Sequence, residues 1–188
     1  MPSAVANLLA DLSRALSALD LQWYLFGAQA AVVYGSARLT ADVDVTVGTA
    51  HASAVEWLPL LQQHGFVARF GDRQFFAQTR VLPLIHQPTG LPTDLVLAGP
   101  GLEEEFLARA VMHDVDGVAV PVIEISDLLA LKVLAGRPKD LDDVISLLRI
   151  QRDAIDFDRV ISVLALLERA LGQSDLLPAF QEARRRAS

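Results

Sequence analysis

Apolar positions in the first part of the chain follow helical and extended spacings in turn. Residues 4–19 place leucine and valine at helical spacing, which predicts an amphipathic helix. The apolar and aromatic run 22–26 predicts a strand that ends at Gly27, and residues 28–34 predict a helix of small residues. The segment 42–47, Asp-Val-Asp-Val-Thr-Val, alternates with a period of two, which predicts a strand with one face toward the core.

Beyond residue 50 the pattern predicts one more helix, a set of strands and a second short helix. The first helix covers residues 50–63 and ends at Gly65. The predicted strands are residues 66–70, 74–78, 81–86, 93–97 and 118–123. The short helix covers residues 103–110.

The remainder of the chain has the pattern of a helical region. Ser126 is a typical N-cap residue, and Pro138 breaks or restarts the helix that it begins. Amphipathic stripes predict further helices over residues 140–150, 157–171 and 175–187. We therefore predict an α/β (α+β) protein with an α/β core at residues 1–124 and a C-terminal helical region at residues 125–188 packed on it.

Composition and charge narrow the class of protein. With 188 residues, 52% of them hydrophobic, the chain has the composition of a globular protein. Its net charge of −7 argues against broad nonspecific nucleic-acid binding, and the basic run Arg184-Arg185-Arg186 is interpreted as a solvated helix end. There is no cysteine, which excludes disulfides and thiolate metal sites. The sequence has no signal-peptide pattern and no apolar run of the roughly 20 residues that span a bilayer. We therefore expect a cytoplasmic protein that does not associate with a membrane.

Asp42 and Asp44 are the first candidates for chemistry. Residues i and i+2 of a strand point to the same face, so the two carboxylates are expected to lie a few ångströms apart. Two like charges so close favour a bound cation, and Mg²⁺ prefers such oxygen ligands. The alternative is an acidic strand face in contact with solvent.

Asp94 is a candidate for a third carboxylate on the same sheet. It lies near the start of the apolar stretch Thr93-Asp-Leu-Val-Leu. Three carboxylates on neighbouring strands are typical of a two-metal site for phosphoryl or nucleotidyl transfer, in which Asp94 would also help to accept a proton. The alternative is a turn aspartate that follows Pro92.

Lys132 is the single charge in the apolar helical stretch Leu128-Leu-Ala-Leu-Lys-Val-Leu-Ala. It shares a helix face with Leu128 and Leu129. Its ammonium group must therefore either extend along the surface to water or meet an anion.

The order of these motifs resembles the minimal nucleotidyltransferases of the DNA polymerase β superfamily, and looks closest to the AbiEii-like branch, which includes type IV toxins. The resemblance covers residues 20–150. The segments that carry it begin at Trp23 (Trp-Tyr-Leu-Phe-Gly-Ala-Gln-Ala-Ala), Arg38 (Arg-Leu-Thr-Ala-Asp-Val-Asp-Val), Thr93 (Thr-Asp-Leu-Val-Leu), Ser126 (Ser-Asp-Leu-Leu-Ala-Leu-Lys) and Gly136 (Gly-Arg-Pro-Lys-Asp-Leu-Asp-Asp-Val).

The resemblance implies a nucleotidyltransferase fold, a mixed central sheet flanked by helices, with two Mg²⁺ ions and a nucleoside triphosphate as substrate. Asp42, Asp44 and Asp94 would be the catalytic metal ligands. The predicted nucleotide-binding residues are Gly27, Ala28, Arg38, Lys132, Arg137 and Lys139. Asp140 would orient Lys132 or Arg137, and it is also a strong N-cap candidate.

One position departs from the family pattern. The family carries Gly-Ser after its first strand, whereas this chain carries Gly27-Ala28 and so lacks the hydroxyl group. Gln29 is a candidate for a substitute donor.

Three functional hypotheses follow. The first is an active nucleotidyltransferase whose acceptor hydroxyl belongs to a tRNA end, a protein or a small molecule, with an antitoxin-like protein as a further partner. The second, suggested by Ala28, is a catalytically diverged domain that binds a nucleotide or a protein. The third, a purely structural domain, would make the shared order of motifs a coincidence.

Overall fold

The computed structural model describes residues 2–48, 54–69, 76 and 79–188. These residues form two compact units. The sheet unit consists of the described residues up to Gln29 and those of Leu39–Ile123; the helical unit consists of Ala30–Arg38 and Glu124–Ser188. Residues 30–38 therefore group with the C-terminal helices, and the boundary at residue 124 stays a prediction.

Seven strands form one mixed sheet within the described part of the sheet unit. Their order is β3-β4-β5-β2-β1-β7-β6. The strands are β1 (Trp23–Phe26), β2 (Val43–Val47), β3 (Phe66–Ala68), β4 (Val81–His86), β5 (Leu91–Leu97), β6 (Val111–Val115) and β7 (Val118–Val122). The β2–β5 and β1–β7 pairs are parallel, and the other pairs are antiparallel. The predicted mixed α/β fold class is confirmed.

The helices of the sheet unit cover the sheet and provide its core. They are α1 (Ala4–Ala18), the start of α2 (Gly27–Val33), a 3₁₀ turn (Ala54–Trp57), α3 (Leu58–Gln63) and α4 (Leu102–Arg109). Helix α1 begins after Ser3, whose hydroxyl accepts a hydrogen bond from the backbone N–H of Ala6 at 3.1 Å. Its apolar stripe, which includes Leu8, Leu12 and Leu16, is fully buried, as the helical spacing predicts.

Four helices make up most of the helical unit. They are α5 (Ile125–Ala135), α6 (Pro138–Ile150), α7 (Phe157–Leu171) and α8 (Leu176–Ala187), with a 3₁₀ turn at Arg152–Ala154. Helix α5 contacts each of the other three, which explains why it is apolar on nearly all sides. Leu129, Val144, Val160 and Phe180 are almost fully buried and form part of this core.

The structure corrects several details of the predicted elements. Strand β6 was not predicted. Helix α5 is capped by Glu124, whose carboxylate accepts from the N–H of Ser126 at 3.0 Å, so the prediction of Ser126 as N-cap is wrong. Helix α6 begins at Pro138 after Arg137, so the N-cap alternative for Asp140 is also wrong.

The strand predicted over residues 74–78 lies outside the described residues apart from Phe76, as does the start of the helix predicted over residues 50–63. In the described residues, no helix has both the length and the apolar character that crossing a membrane requires.

Candidate active site

The pairing of β2 with β5 places two predicted catalytic carboxylates side by side. The strands are parallel, and Asp44 is the register partner of Asp94. Residues in register on adjacent strands are about 4.8 Å apart and point to the same face of a sheet. Asp42 lies one residue before β2 and is exposed. The sheet thus brings Asp44 and Asp94 together, with Asp42 at the near end of β2.

A hydrogen bond between side chain and backbone fixes this register locally. The buried hydroxyl of Thr93 donates to the carbonyl oxygen of Val43 at 2.8 Å. These two residues immediately precede Asp94 and Asp44 and are themselves register partners. The bond therefore ties the strands together one residue from the carboxylate pair.

Gly27 approaches Asp44 so closely that a side chain would not fit. It follows Phe26, the β1 register partner of Asp44, and has a φ of 69°. A Cβ atom at Gly27 would lie 3.2 Å from the Cβ of Asp44 and still closer to its carboxylate. Glycine is required here for both backbone conformation and space.

The residues after Gly27 have structural contacts of their own. Ala28 is buried and carries no hydroxyl. The side chain of Gln29 is also buried, and its Nε2 donates to the carbonyl oxygen of Thr40 at 3.0 Å. Gln29 therefore holds the segment that leads to Asp42.

Asp94 has a cationic partner that the sequence did not reveal. The guanidinium of Arg69, just after β3, forms an ion pair with Asp94, and both side chains are about one-third exposed. In the described part of the chain, no group of three His, Cys, Asp or Glu side chains is arranged to hold a metal ion. The oxygen donors of Asp42, Asp44 and Asp94 suit Mg²⁺ chemically. Arg69 contacts Oδ1 of Asp94, so a metal ion there would share this carboxylate with Arg69 or replace it.

In the helical unit, one buried carboxylate accepts hydrogen bonds from three polar side chains. Asp143 of α6 is 4% exposed. It accepts hydrogen bonds from Lys132 Nζ at 2.7 Å, Arg38 Nη1 at 2.6 Å and Ser36 Oγ at 3.0 Å. Both carboxylate oxygens thus accept hydrogen bonds, and two of the three donors are charged.

These partners decide the ionisation of Asp143. Burial acts to raise the pKa of the carboxyl group, but the hydrogen bond and charge of Lys132, followed by the hydrogen bonds of Arg38 and Ser36, outweigh it. The pKa of Asp143 therefore lies below its ordinary value, and the group is a carboxylate at neutral pH.

The remaining predicted residues of the helical unit lie around this network. Lys132 is 3% exposed, with Asp140 Oδ1 3.8 Å from its Nζ, so the alternative in which it extends to solvent is wrong. Asp140 is buried and pairs with Arg137 at 3.2 Å through Nη2. The side chain of Arg137 is 60% exposed, and Lys139 is exposed. Asp140 therefore lies next to both Lys132 and Arg137, as predicted. Contact of these residues with a nucleotide stays a prediction.

Sequence reasoning missed Asp143, Ser36 and Arg69. One signal for Asp143 was available. It shares the apolar stripe of α6 with Val144 and Leu147, and an acid in such a stripe needs a buried partner. Arg69 carried no comparable signal, because it lies just after a short strand and its partner Asp94 is 25 residues away in the sequence.

Comparison with known proteins supports the fold. No protein-family model and no curated protein matches the sequence. The solution structure of the antibiotic-resistance factor ANT(2'')-Ia is similar with a TM-score of 0.63 and 13% identity, over 92% of this chain and 95% of that one. The crystal structure of an antigenic nucleotidyltransferase-like protein from Paracoccidioides brasiliensis is similar with a TM-score of 0.55 and 19% identity, over 94% and 91% of the two chains. The chain therefore has a nucleotidyltransferase fold.

Proposed function

We propose that this protein is a Mg²⁺-dependent nucleotidyltransferase that moves a nucleoside monophosphate from a nucleoside triphosphate to a hydroxyl group. The observation that carries the proposal is the pairing of Asp44 with Asp94 in register on adjacent parallel strands, within a nucleotidyltransferase fold. Asp42, two residues before Asp44, completes the set of carboxylates.

Each acid has a role in this proposal. Asp42, Asp44 and Asp94 would hold two Mg²⁺ ions, which neutralise the triphosphate charge and favour the ionised acceptor. The acceptor oxygen would form a bond to the α-phosphorus, the bond from that phosphorus to the β-phosphate oxygen would break, and pyrophosphate would leave. Asp94, whose Oδ1 contacts Arg69, would help to take the hydroxyl proton.

The predicted nucleotide-binding residues differ in how easily a phosphate could reach their side chains. Arg137 and Lys139 have exposed side chains that a phosphate can reach, and Arg38 is 20% exposed. Lys132 is enclosed by Asp143 and Asp140, so we assign it to holding those carboxylates. Gly27 provides the close approach to Asp44 that the site requires.

The proposal extends to the acceptor and to the biological role. The resemblance to the AbiEii-like branch favours a cytoplasmic toxin-type enzyme with an antitoxin-like protein partner. The acceptor hydroxyl would belong to a tRNA end, another protein or a small molecule. The net charge of −7 makes an RNA acceptor the least favoured of the three.

A second candidate function is a catalytically diverged domain that binds a nucleotide or a protein. Two observations favour it. Ala28 provides no hydroxyl for a triphosphate, and Asp94 is paired with Arg69. In this case nucleotide binding would persist without transfer.

Transfer from labelled nucleoside triphosphates tests the proposal. The protein is incubated with Mg²⁺, each labelled triphosphate and, in separate reactions, total tRNA, protein lysate and a small-molecule extract. We expect label on one acceptor class and a loss of more than about 100-fold in D42N and D44N, since even indirect partners of a metal contribute about 10–100-fold. The control E56Q removes an exposed acid of the same unit and should leave transfer unchanged.

The outcomes separate the two candidates. Metal-dependent binding of the triphosphate without transfer to any acceptor would favour the diverged domain. Absence of both transfer and metal-dependent binding would overturn the proposal. Transfer that survives in both D42N and D44N would show that the reaction uses another site.

A further inference from the structure

The helical unit contains a cavity of about 200 Å³ whose polar side chains are mainly arginines. Arg149 comes from the last turn of α6, Arg152 from the 3₁₀ turn that follows, and Arg184 from the last turn of α8. Phe157, the first residue of α7, forms an aromatic part of the wall. Among the described residues, no Asp or Glu lines this cavity, and Leu148, Ala187 and Ser188 complete its wall.

Within the part of the chain that the structure describes, these three arginines form no ion pair with a carboxylate, which sets them apart from most other basic residues. Basic residues that do form ion pairs are Arg14, Arg38, Arg69, Lys132, Arg137, Arg159 and Arg185. Acids outnumber bases by 23 to 16 in the whole sequence, so carboxylates are not scarce. A guanidinium keeps its charge at any ordinary pH, so the cavity concentrates positive potential.

Two of the three guanidinium groups are held in place by neighbours that leave their charge uncompensated. The guanidinium carbon of Arg184 lies 4.5 Å from the ring centre of Phe157 and 6.0 Å from that of Phe180. Arg149 donates to the backbone carbonyl oxygen of Arg186. A guanidinium has five N–H donors, so each group retains donors for a ligand. Such prior ordering lowers the entropic cost of binding an anion.

We propose that this cavity is a binding site for a phosphoryl group. Three guanidiniums match the charge and the several acceptor oxygens of a phosphate, which planar Arg groups bind through paired hydrogen bonds. The volume of about 200 Å³ is below the roughly 300–1,000 Å³ of sites for whole cofactors, so the cavity takes one phosphoryl group and leaves the rest of the ligand outside. The site uses none of the proposed catalytic residues and stands independently of the proposed transfer reaction.

Binding of inorganic phosphate to the full-length protein tests the site. Calorimetric titration at fixed ionic strength, with chloride as the balancing anion, gives Kd for the wild type and for R152Q and R184Q. We expect each variant to raise Kd about tenfold or more, because one charge-assisted hydrogen bond corresponds to about that factor. The matched control is R169Q, which removes the same charge from the last turn of α7, where Arg169 is exposed and does not line the cavity.

R152Q keeps the test valid if loss of the Arg184–Phe157 contact weakens folding. Arg152 is exposed, and its side chain forms no hydrogen bond or ion pair with a described residue. The competing account is that Arg149 and Arg184 only complement the negative ends of α6 and α8. In that case phosphate and chloride would have equal effects, or R169Q would weaken phosphate binding as much as R152Q, and either result would overturn the proposal.

Two further probes identify the source of the phosphoryl group. One is a short oligoribonucleotide without terminal phosphate, and the other is a mononucleoside 5′-monophosphate. If the group belongs to an RNA backbone, the oligonucleotide should bind more tightly than inorganic phosphate and lose affinity in R152Q. If it belongs to a small metabolite, only inorganic phosphate and the monophosphate should show that loss. Binding of all three probes that is unaffected by R152Q would overturn the assignment to this cavity.

Discussion

A methyl group added at Gly27 meets two obstacles, an unfavourable φ of 69° and the side chain of Asp44. We expect Gly27→Ala to lower the free energy of unfolding by about 1–3 kcal/mol through backbone strain, and also to displace the carboxylate. Gly90→Ala is a close control, because Gly90 has a φ of 71° and no atom within 4 Å of an added Cβ. Urea unfolding should show a similar cost of backbone strain in both variants. The transfer rate should fall only in Gly27→Ala. Equal transfer in the two variants would contradict a role for this close approach.

Asp143 offers a second test at the scale of a residue. Asp143→Asn would leave the guanidinium of Arg38 without its anion and the buried ammonium of Lys132 with only the more distant Asp140, at 3.8 Å. Breaking a buried ion pair from one side costs about 3–5 kcal/mol, so we expect a loss of about 3 kcal/mol in unfolding free energy. Asp142→Asn is the control, since Asp142 is adjacent but exposed. A loss below about 1 kcal/mol in Asp143→Asn, measured by urea unfolding, would show that the network contributes little.

The same carboxylate predicts a dependence on pH. Its pKa in the folded protein is lowered, so the unfolded chain binds the proton more readily. The stability that Asp143 contributes is therefore complete above the unfolded pKa of about 3.9 and is lost as pH falls through the lower folded value. The difference in unfolding free energy between wild type and Asp143→Asn should shrink below about pH 4. A difference that stays constant from pH 6 to pH 3 would contradict the lowered pKa.

At the scale of elements, the contact between β2 and β5 positions the candidate site. Thr93→Val keeps the shape of the side chain but removes the hydrogen bond to Val43, at a cost of about 1 kcal/mol. Because Asp94 is the next residue, we also expect weaker transfer. Thr46→Val, at another buried threonine of the same strand pair, is the control. Equal losses in stability and transfer for the two variants, measured side by side, would show that the Thr93 bond does not position Asp94.

Elements with a strong periodic pattern could be predicted from the sequence, and those without one could not. The helical stripe of α1 and the alternation of β2 depend only on local spacing. Strand β6 pairs with β7 alone at the end of the sheet and is largely exposed, so its residues Val-Met-His-Asp-Val show no buried face. The cap of α5 was missed because Glu124 is not among the preferred N-cap residues, although its carboxylate takes that role.

The candidate site, too, could be predicted from the sequence only where local spacing determines it. Asp42 and Asp44 are neighbours on one strand, so their proximity follows from strand geometry alone. The bond between Arg38 and Asp143 joins positions 105 residues apart, and that between Arg69 and Asp94 joins positions 25 apart. No local pattern encodes such pairs, because they depend on the pairing of strands and the packing of helices.

At the scale of the whole molecule, the same fold is found at an identity so low that no family model matches the sequence. Two proteins of similar structure share only 13% and 19% of residues with this chain. A fold of this kind requires apolar residues in the right pattern and about the right volume, and many sequences satisfy that condition. The few positions where chemistry or space restricts the choice, such as Gly27 and Asp44, are therefore more informative about function than overall identity.

The composition of the helical unit leads to a prediction about the whole chain. Residues 30–38 belong to this unit although they precede the rest of it by more than 80 positions. They supply Ser36 and Arg38 to Asp143, and the carbonyl oxygen of Tyr34 accepts from Gln151 Nε2 at 2.8 Å. A fragment of residues 124–188 would therefore keep its helices but lose these partners.

We expect this fragment to unfold in urea with a broad transition and a small m-value, and to become cooperative when a peptide of residues 30–38 is joined to it by a flexible Gly/Ser linker. The control joins a peptide in which Ser36 and Arg38 are replaced by alanine, which removes both bonds to Asp143. If the fragment alone unfolds as sharply as the joined form, the helical region is independent of residues 30–38 and the boundary predicted at residue 124 is the better description of the chain.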